Sequence, residues 1–539
     1  MGSGVEQNHL SFNKMRVKYL PCFVICVFIA IACKSYKSDK GNSASERVIY
    51  LDIIKGQDSN PGTPEKPLQS IEELNRRLSK NSCNVYFASG QVFVGTIVLK
   101  GINGTKADPV KISSSGEGRA VIIGGNQEAV KIENCTFVTI ANLNFIGNGR
   151  KEGNKTNGVA LVNSRHCTVE NVSSKGFQKS GIDLYNCVES VVRNAFVSDN
   201  GFSGINVMGS SRSMSRNLLI QGCRAENNPG DPTNLDNHSG NGILVGVSDS
   251  VEVDHCSATN NGWDMPRKGN GPVGIWAWES DHVLIQYCIS YRNKTSENAK
   301  DGGGFDLDGG VRNSVIQYCL SYENQGAGYG LFQYSGASDW SDNSVRYCVS
   351  INDGQTTEGS GGIFIWNGSD EPGQLVNCII CNNVIYNASA PAISYENASK
   401  HQNFLFCNNI FLGSDQPISG TLSGSSFVAN DWWDIKGGIR FMKFPDLESW
   451  ALKNGQETFN GKYVGMQIDP KFAGPLITEI SDPYQLDKLT GYMISPDSPL
   501  NSRGLDLKSF IGKNVPAKDF FGNNVPSGNG TEPGINEIK

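Results

Sequence analysis

Positive charge is not in excess in this chain. Lys and Arg number 47 against 53 Asp and Glu, a formal charge of −6. That excludes a broad polyanion-binding face of the kind nucleic-acid readers carry. No G-X-Y period runs through the glycines, so a collagen-like rod is excluded. Past residue 32 no apolar run is long enough to cross a bilayer. Paired cysteines with companion histidines are missing too. Cys378 and Cys381 make a lone C-x-x-C, so no structural metal site is expected.

Glycine is abundant: 62 residues, about 12% against a usual ~7%. Spread among Val, Ile, Asn and Ser, it suggests many short strands joined by tight turns. The chain start is different in kind. Residues 15–19 are basic, Leu20 to Ala32 are apolar, and "AIAC" closes the run at Cys33. Basic, apolar and small residues in that order read as an export signal. A cysteine directly after the small residue resembles a bacterial lipobox, which implies lipidation of Cys33 and anchoring to a membrane of the cell envelope, the outer membrane being the expected one. Residues 1–14 read as lying upstream of the true start. Residues 34–46 are rich in Ser and Lys and read as a flexible tether.

The middle of the chain repeats. Lines open with glycine and then alternate: "GVALVNS" at Gly158, "GIDLYNC" at Gly181, "GINVMGS" at Gly204, "GILVGVS" at Gly242, "GIWAWES" at Gly274, "GFDLDGG" at Gly304, "GYGLFQY" at Gly328 and "GIFIWNG" at Gly362. Their spacings are 23, 23, 38, 32, 30, 24 and 34 residues. Two further short strands follow in each unit, as in "VLIQYCISYRN", and no helical period appears. Three strands per unit imply a coil whose turns stack on one another with no free edges between them.

This pattern resembles the right-handed parallel β-helix of the pectate-lyase-like superfamily. It predicts an all-β solenoid over residues 47–415. "SIEELNRRL" should form an N-terminal helical cap, with Ser70 and Glu73 in capping-box spacing. Residues 416–539 should form an irregular C-terminal cap on the last coils. Cys256, Cys288, Cys319 and Cys348 recur before the third strand, and Cys223, Cys378 and Cys407 are expected to extend the row. Related proteins often stack asparagines at this turn, and here thiols are expected to replace them, buried and reduced.

The same alignment identifies candidate site residues. If positions two and four of each line face the core, positions three and five face outward. Outward pairs on successive coils are then Trp276 and Trp278, Asp306 and Asp308, Gly330 and Phe332, Phe364 and Trp366. Coils are about 4.8 Å apart, so the aspartates should lie between aromatic patches on a solvent-facing sheet. Exposed aromatics at that density mark a binding surface. Extra residues fall before the first strand of a coil, in 227–241, 261–273, 293–303 and 352–361, where insertions build a binding wall. From these loops His238, Arg267, Lys300 and Glu358 are candidate substrate contacts. His255, His282 and His401 fall at strand or strand-edge positions and read as structural.

Three functions fit these residues. Hydrolysis of a glycosidic bond needs two carboxyl groups flanking it, for which Asp306 and Asp308 are the candidates. Their Cα atoms are about 6.5–7 Å apart, which suits either stereochemical course. Elimination or epimerisation on a uronic acid would use Arg267 and Lys300 as cations, with Ca²⁺ held by the aspartates. "GFDLD" is faintly similar to the "GFDPHD" of alginate epimerases, without its Pro and His. The polygalacturonase signatures "GHG" and "RIK" are missing. A non-catalytic glycan-binding lipoprotein is the third. In all three the partner is a polysaccharide or oligosaccharide, and a nucleic acid is not expected.

Overall fold

In the computed structural model the described residues are 48–538, except 79–82, 298, 358–359, 370–373, 397–400, 414–415, 477–478, 513–514 and 529. Cys33, the export segment, the tether and Glu358 lie outside them.

The alternation read from the sequence becomes three long parallel sheets of 14, 12 and 13 strands. Each coil contributes one strand to each sheet, and every sheet neighbour is the equivalent strand of the adjacent coil. Ile275 pairs with Phe305, Phe305 with Tyr329, and Tyr329 with Ile363. These are the even positions of the repeat, and all are buried in one continuous core. Parallel strands of such a coil pair on both sides, so sheet edges are exposed only at the two ends of the stack.

Both ends are closed. The helix Ile71–Leu78 buries Ile71, Leu74 and Leu78 as its spacing predicts. The capping box is only half made. Ser70 Oγ accepts the Glu73 N–H at 3.1 Å, but the Glu73 carboxylate turns to Arg76 and Arg77, and Asp58 takes the Ser70 N–H at 2.9 Å. At the far end the sheets run past residue 415, to Asp431–Asp434. An aromatic plug of Phe427, Trp432, Phe441 and Trp450 covers the last coil. The rest of the tail does more than cap. Leu486, Leu489, Tyr492, Leu500, Phe520 and Ile535 pack with Leu320, Tyr322, Val349 and Val384, covering the outer face of the 13-stranded sheet.

The turn rows differ from expectation. Cys223, Cys256, Cys288, Cys319 and Cys348 do form a buried row: the Cys256 N–H reaches Cys288 Sγ at 3.3 Å. All twelve described cysteines are buried and free. Cys378 and Cys407 do not extend the row. The Cys348 N–H donates instead to Asn383 Oδ1 at 2.9 Å, and Asn409 and Asn430 follow. From Cys223 to Cys348 thiols do stand at this turn in place of asparagines. Asn200, Asn228, Asn261, Asn293 and Asn324 stack at another turn, each amide donating to the next, and end on Asp353. This ladder satisfies buried backbone and amide groups coil after coil. It also pins the feet of the inserted loops, which leave the coil just beyond it.

Candidate active site

The strand Gly303–Leu307 carries the opening of the site. Phe305 and Leu307 enter the core and Asp306 and Asp308 point away from it, as the alternation requires. The outward side is not bulk solvent. Asp306 is only 2% exposed and Trp276 only 3%. The loops and the neighbouring aromatic rings close over the sheet and leave a cleft of about 670 Å³, a size suited to a small ligand or part of a chain. Its floor is Trp276, Trp278, Asp306, Asp308, Phe332, Phe364 and Trp366; its wall is Asp236, His238, Arg267, Lys300, Asp301 and Thr357.

The structure therefore brings together Trp276, Trp278, Phe332, Trp366, Asp306, Asp308, Lys300, Arg267 and His238. It corrects the expected exposure. Trp276 is not an open platform: it packs with Leu244, Val273 and Phe202, and its indole N–H donates to Asn241 at 3.1 Å. Phe332 is held edge-on by Phe364 at 5.2 Å and Trp366 at 6.3 Å. The Trp278 and Trp366 rings pass close over glycines. A Cβ at Gly246 would come within 2.5 Å of the Trp278 indole nitrogen, and one at Gly368 within 2.4 Å of the Trp366 ring.

Burial governs the charges. The Asp306 carboxyl has an oxygen, Oδ1, with no hydrogen-bond partner. Loss of water, followed by the repulsion of Asp308 and Asp301, raises its pKa well above the usual carboxylate range. Asp308 is less enclosed, and its anion accepts the Gly309 N–H at 2.7 Å. Burial still pushes it up to about 7, with Asp301 and Glu279 adding to the shift. Asp301 itself is raised to about 6 by burial, opposed by the Gly271 N–H, Lys300 and Arg267. Three carboxyl groups thus crowd one end of the cleft.

Reading the sequence missed Tyr334 and Glu396, and left Asp301 among undistinguished loop residues. Glu396 continues the outward column from Trp366, its register partner; the line "AISYE" lacks the leading glycine, which hid it. Tyr334 follows its strand in a turn, where alternation carries no information. Other loop residues are occupied elsewhere. Asp231 pairs with Lys179, and Asp264 with Arg150 and Lys151. His255 stacks between Tyr287 and Tyr484, and His401 bonds Ser425, as structural residues do. Among the described residues no three His, Cys, Asp or Glu side chains converge to hold a metal ion.

A family model described as "Right handed beta helix region" matches residues 215–374, which agrees with the right-handed coil expected from the repeat. No curated protein sequence matches the chain. Among solved structures, a GH136 lacto-N-biosidase from Eubacterium ramulus is similar at 17% identity over 65% of this chain and 65% of that one, with a TM-score of 0.40. This chain therefore spans just under two thirds of that relative. An alginate lyase from Paenibacillus is similar at 17% identity, covering 55% and 97%, with a TM-score of 0.42. The A-module of an Azotobacter vinelandii mannuronan C-5 epimerase is similar at 13%, covering 60% and 92%, with a TM-score of 0.41. Likenesses this distant carry no argument about the reaction.

Proposed function

We propose that this chain is a carbohydrate-active enzyme that hydrolyses a glycosidic bond of a polysaccharide or oligosaccharide lying in the cleft. The observation that carries the reading is the unequal pair Asp306 and Asp308. Asp306, enclosed and without a donor to stabilise its anion, is biased by burial toward its protonated form and serves as the general acid. Asp308, with the Gly309 N–H on its carboxylate, ionises first. In the hydrolysis Asp306 gives its proton to the leaving oxygen as the bond to the anomeric carbon breaks. Asp308 either takes a proton from the attacking water or bonds the anomeric carbon itself, to be displaced later by water. Trp278 and Trp366, the partly exposed rings of the floor, supply apolar faces for sugar rings. Incubating the protein with oligosaccharides and assaying new reducing ends tests this directly. Binding without turnover would leave only a glycan-binding surface.

A second reading, elimination or epimerisation on a uronic acid, is favoured by one observation. Arg267 and Lys300 stand in the cleft wall, and among the described residues neither has an ion-pair partner. An unsaturated product absorbing in the near ultraviolet would select elimination over hydrolysis. We also propose export and lipidation at Cys33, with anchoring to the cell envelope, on the order of residues 15–33 alone. A fatty-acid probe should label the wild type and not Cys33→Ala, and equal labelling of both would refute it.

A further inference from the structure

We propose that His238 is a fixed hydrogen-bond donor of the cleft, its proton held on Nε2 by Asn241, and that it binds an acceptor oxygen of a substrate lying in the cleft that Asp306 also lines. This rests on the glycan reading for the nature of the ligand, but the donor itself follows from the hydrogen bonds.

Asn241 opens the strand Asn241–Gly246. Its amide oxygen faces two groups that can only donate, the Trp276 indole N–H at 3.1 Å and the Val273 backbone N–H at 3.4 Å. Turning the amide over would set its NH₂ against both donors, so its orientation is forced. The amide nitrogen then donates to the Phe202 carbonyl at 3.1 Å and lies 3.0 Å from His238 Nδ1. A neutral imidazole that accepts at Nδ1 must carry its proton on Nε2. The ring is held in place: it is buried, meets the Trp276 ring edge-on at 4.7 Å and lies 5.6 Å from Phe202.

Among the described residues nothing accepts from Nε2, and His238 lines the cleft. One charged side chain of the same wall, Arg267, bears on the ring; Asp236 lines the same wall. Burial first, and the Arg267 cation second, push its pKa down to about 3. The ring stays uncharged through the working range, so it cannot serve as an acid or swap to the charged form. It presents one N–H, in one direction, to a hydroxyl, ring or carbonyl oxygen. Trp276, Asn241 and His238 come from a strand of one coil and from a strand and loop of the coil before, so the relay ties the loop to the sheet that carries Asp306.

Nitrogen-15 NMR of histidine-labelled protein tests the donor without any activity. The His238 signals, identified by their loss in His238→Gln, should show the Nε2–H tautomer and stay unchanged from pH 4.5 to 8. An Nδ1–H tautomer, or titration near 6.5, would overturn the proposal. Recognition is tested on the Asp306→Asn protein with cellotetraose, xylotetraose and tetragalacturonate. At least one should shift the Nε2 signal, and His238→Phe should weaken its binding roughly two- to tenfold. A fixed tautomer that none of the three perturbs would overturn the recognition role. Should the aspartate variants keep full turnover, the acid–base reading fails while the tautomer result stands, so the two failures are distinguishable.

Discussion

A Cβ placed on Gly330 would lie 3.0 Å from Oδ1 of Asp306 and 2.8 Å from the Phe332 ring. The two residues are register partners on adjacent coils. The missing side chain at one is what lets a phenylalanine ring fold down against the other. The Phe332 ring and the carboxyl oxygen therefore lie close to the same point over Gly330, and loss of water is the largest cause of the raised Asp306 pKa. A side chain at this glycine would crowd an acid on the coil before it.

Gly330→Ala should lower activity by displacing Phe332 and readmitting water to Asp306. Gly246→Ala should act on Trp278, and raise KM more than it lowers kcat. Neither glycine feeds the core, so circular dichroism should stay unchanged. Wild-type kinetics for both variants would show that the rings do not shape the site.

Asp306→Asn and Asp308→Asn should each cut kcat roughly 10²–10⁴-fold, the usual contribution of a general acid or base. The acidic limb of the wild-type pH profile should fall near 7, where Asp308 loses its proton, and not near the ordinary 3.8. Asp306→Asn should melt at or above the wild-type temperature at pH 7. The asparagine is neutral in both the folded and the unfolded chain, whereas burial on folding disfavours the native carboxylate. Thermal melts beside steady-state kinetics check both statements.

Stability should depend on pH through Asp308. Its folded pKa of about 7 exceeds the ordinary 3.8, so its contribution is complete below about 3.8 and is lost as pH rises through 7. Asp308→Asn has no such titration. The wild type should therefore lose ground to the variant between pH 4.5 and pH 8, measured as the difference in Tm. A difference that stays constant across that range would mean an unshifted carboxyl group.

Trp276→Ala and Trp278→Ala should part company. Trp276 is enclosed with Leu244 and Val273, and its loss should cost about 3–5 kcal/mol of stability. Trp278 is only partly covered, and its loss should appear chiefly in KM. Denaturant titration of the two variants separates these outcomes.

The sequence alone determined the coil, the parity of its strands and the edge from which its loops rise. These are local properties: alternation places Phe305 and Leu307 inward and Asp306 and Asp308 outward whatever lies beyond. The repeat likewise put Trp276 in the outward column of Asp306, and Phe332 and Trp366 in the neighbouring column of Asp308. Burial was decided only by the tertiary structure, because it depends on how loops of unequal length fold back over several coils. So Asp306 is enclosed where an exposed acid was expected, and its proton affinity follows from that enclosure. Asn383 takes the turn position expected of Cys378, since small polar and small thiol side chains both fill that space and spacing cannot tell them apart. Glu396 and Tyr334 joined the site through register and turn geometry, and the tautomer of His238 through two donors on Asn241 that only the packed coils bring together.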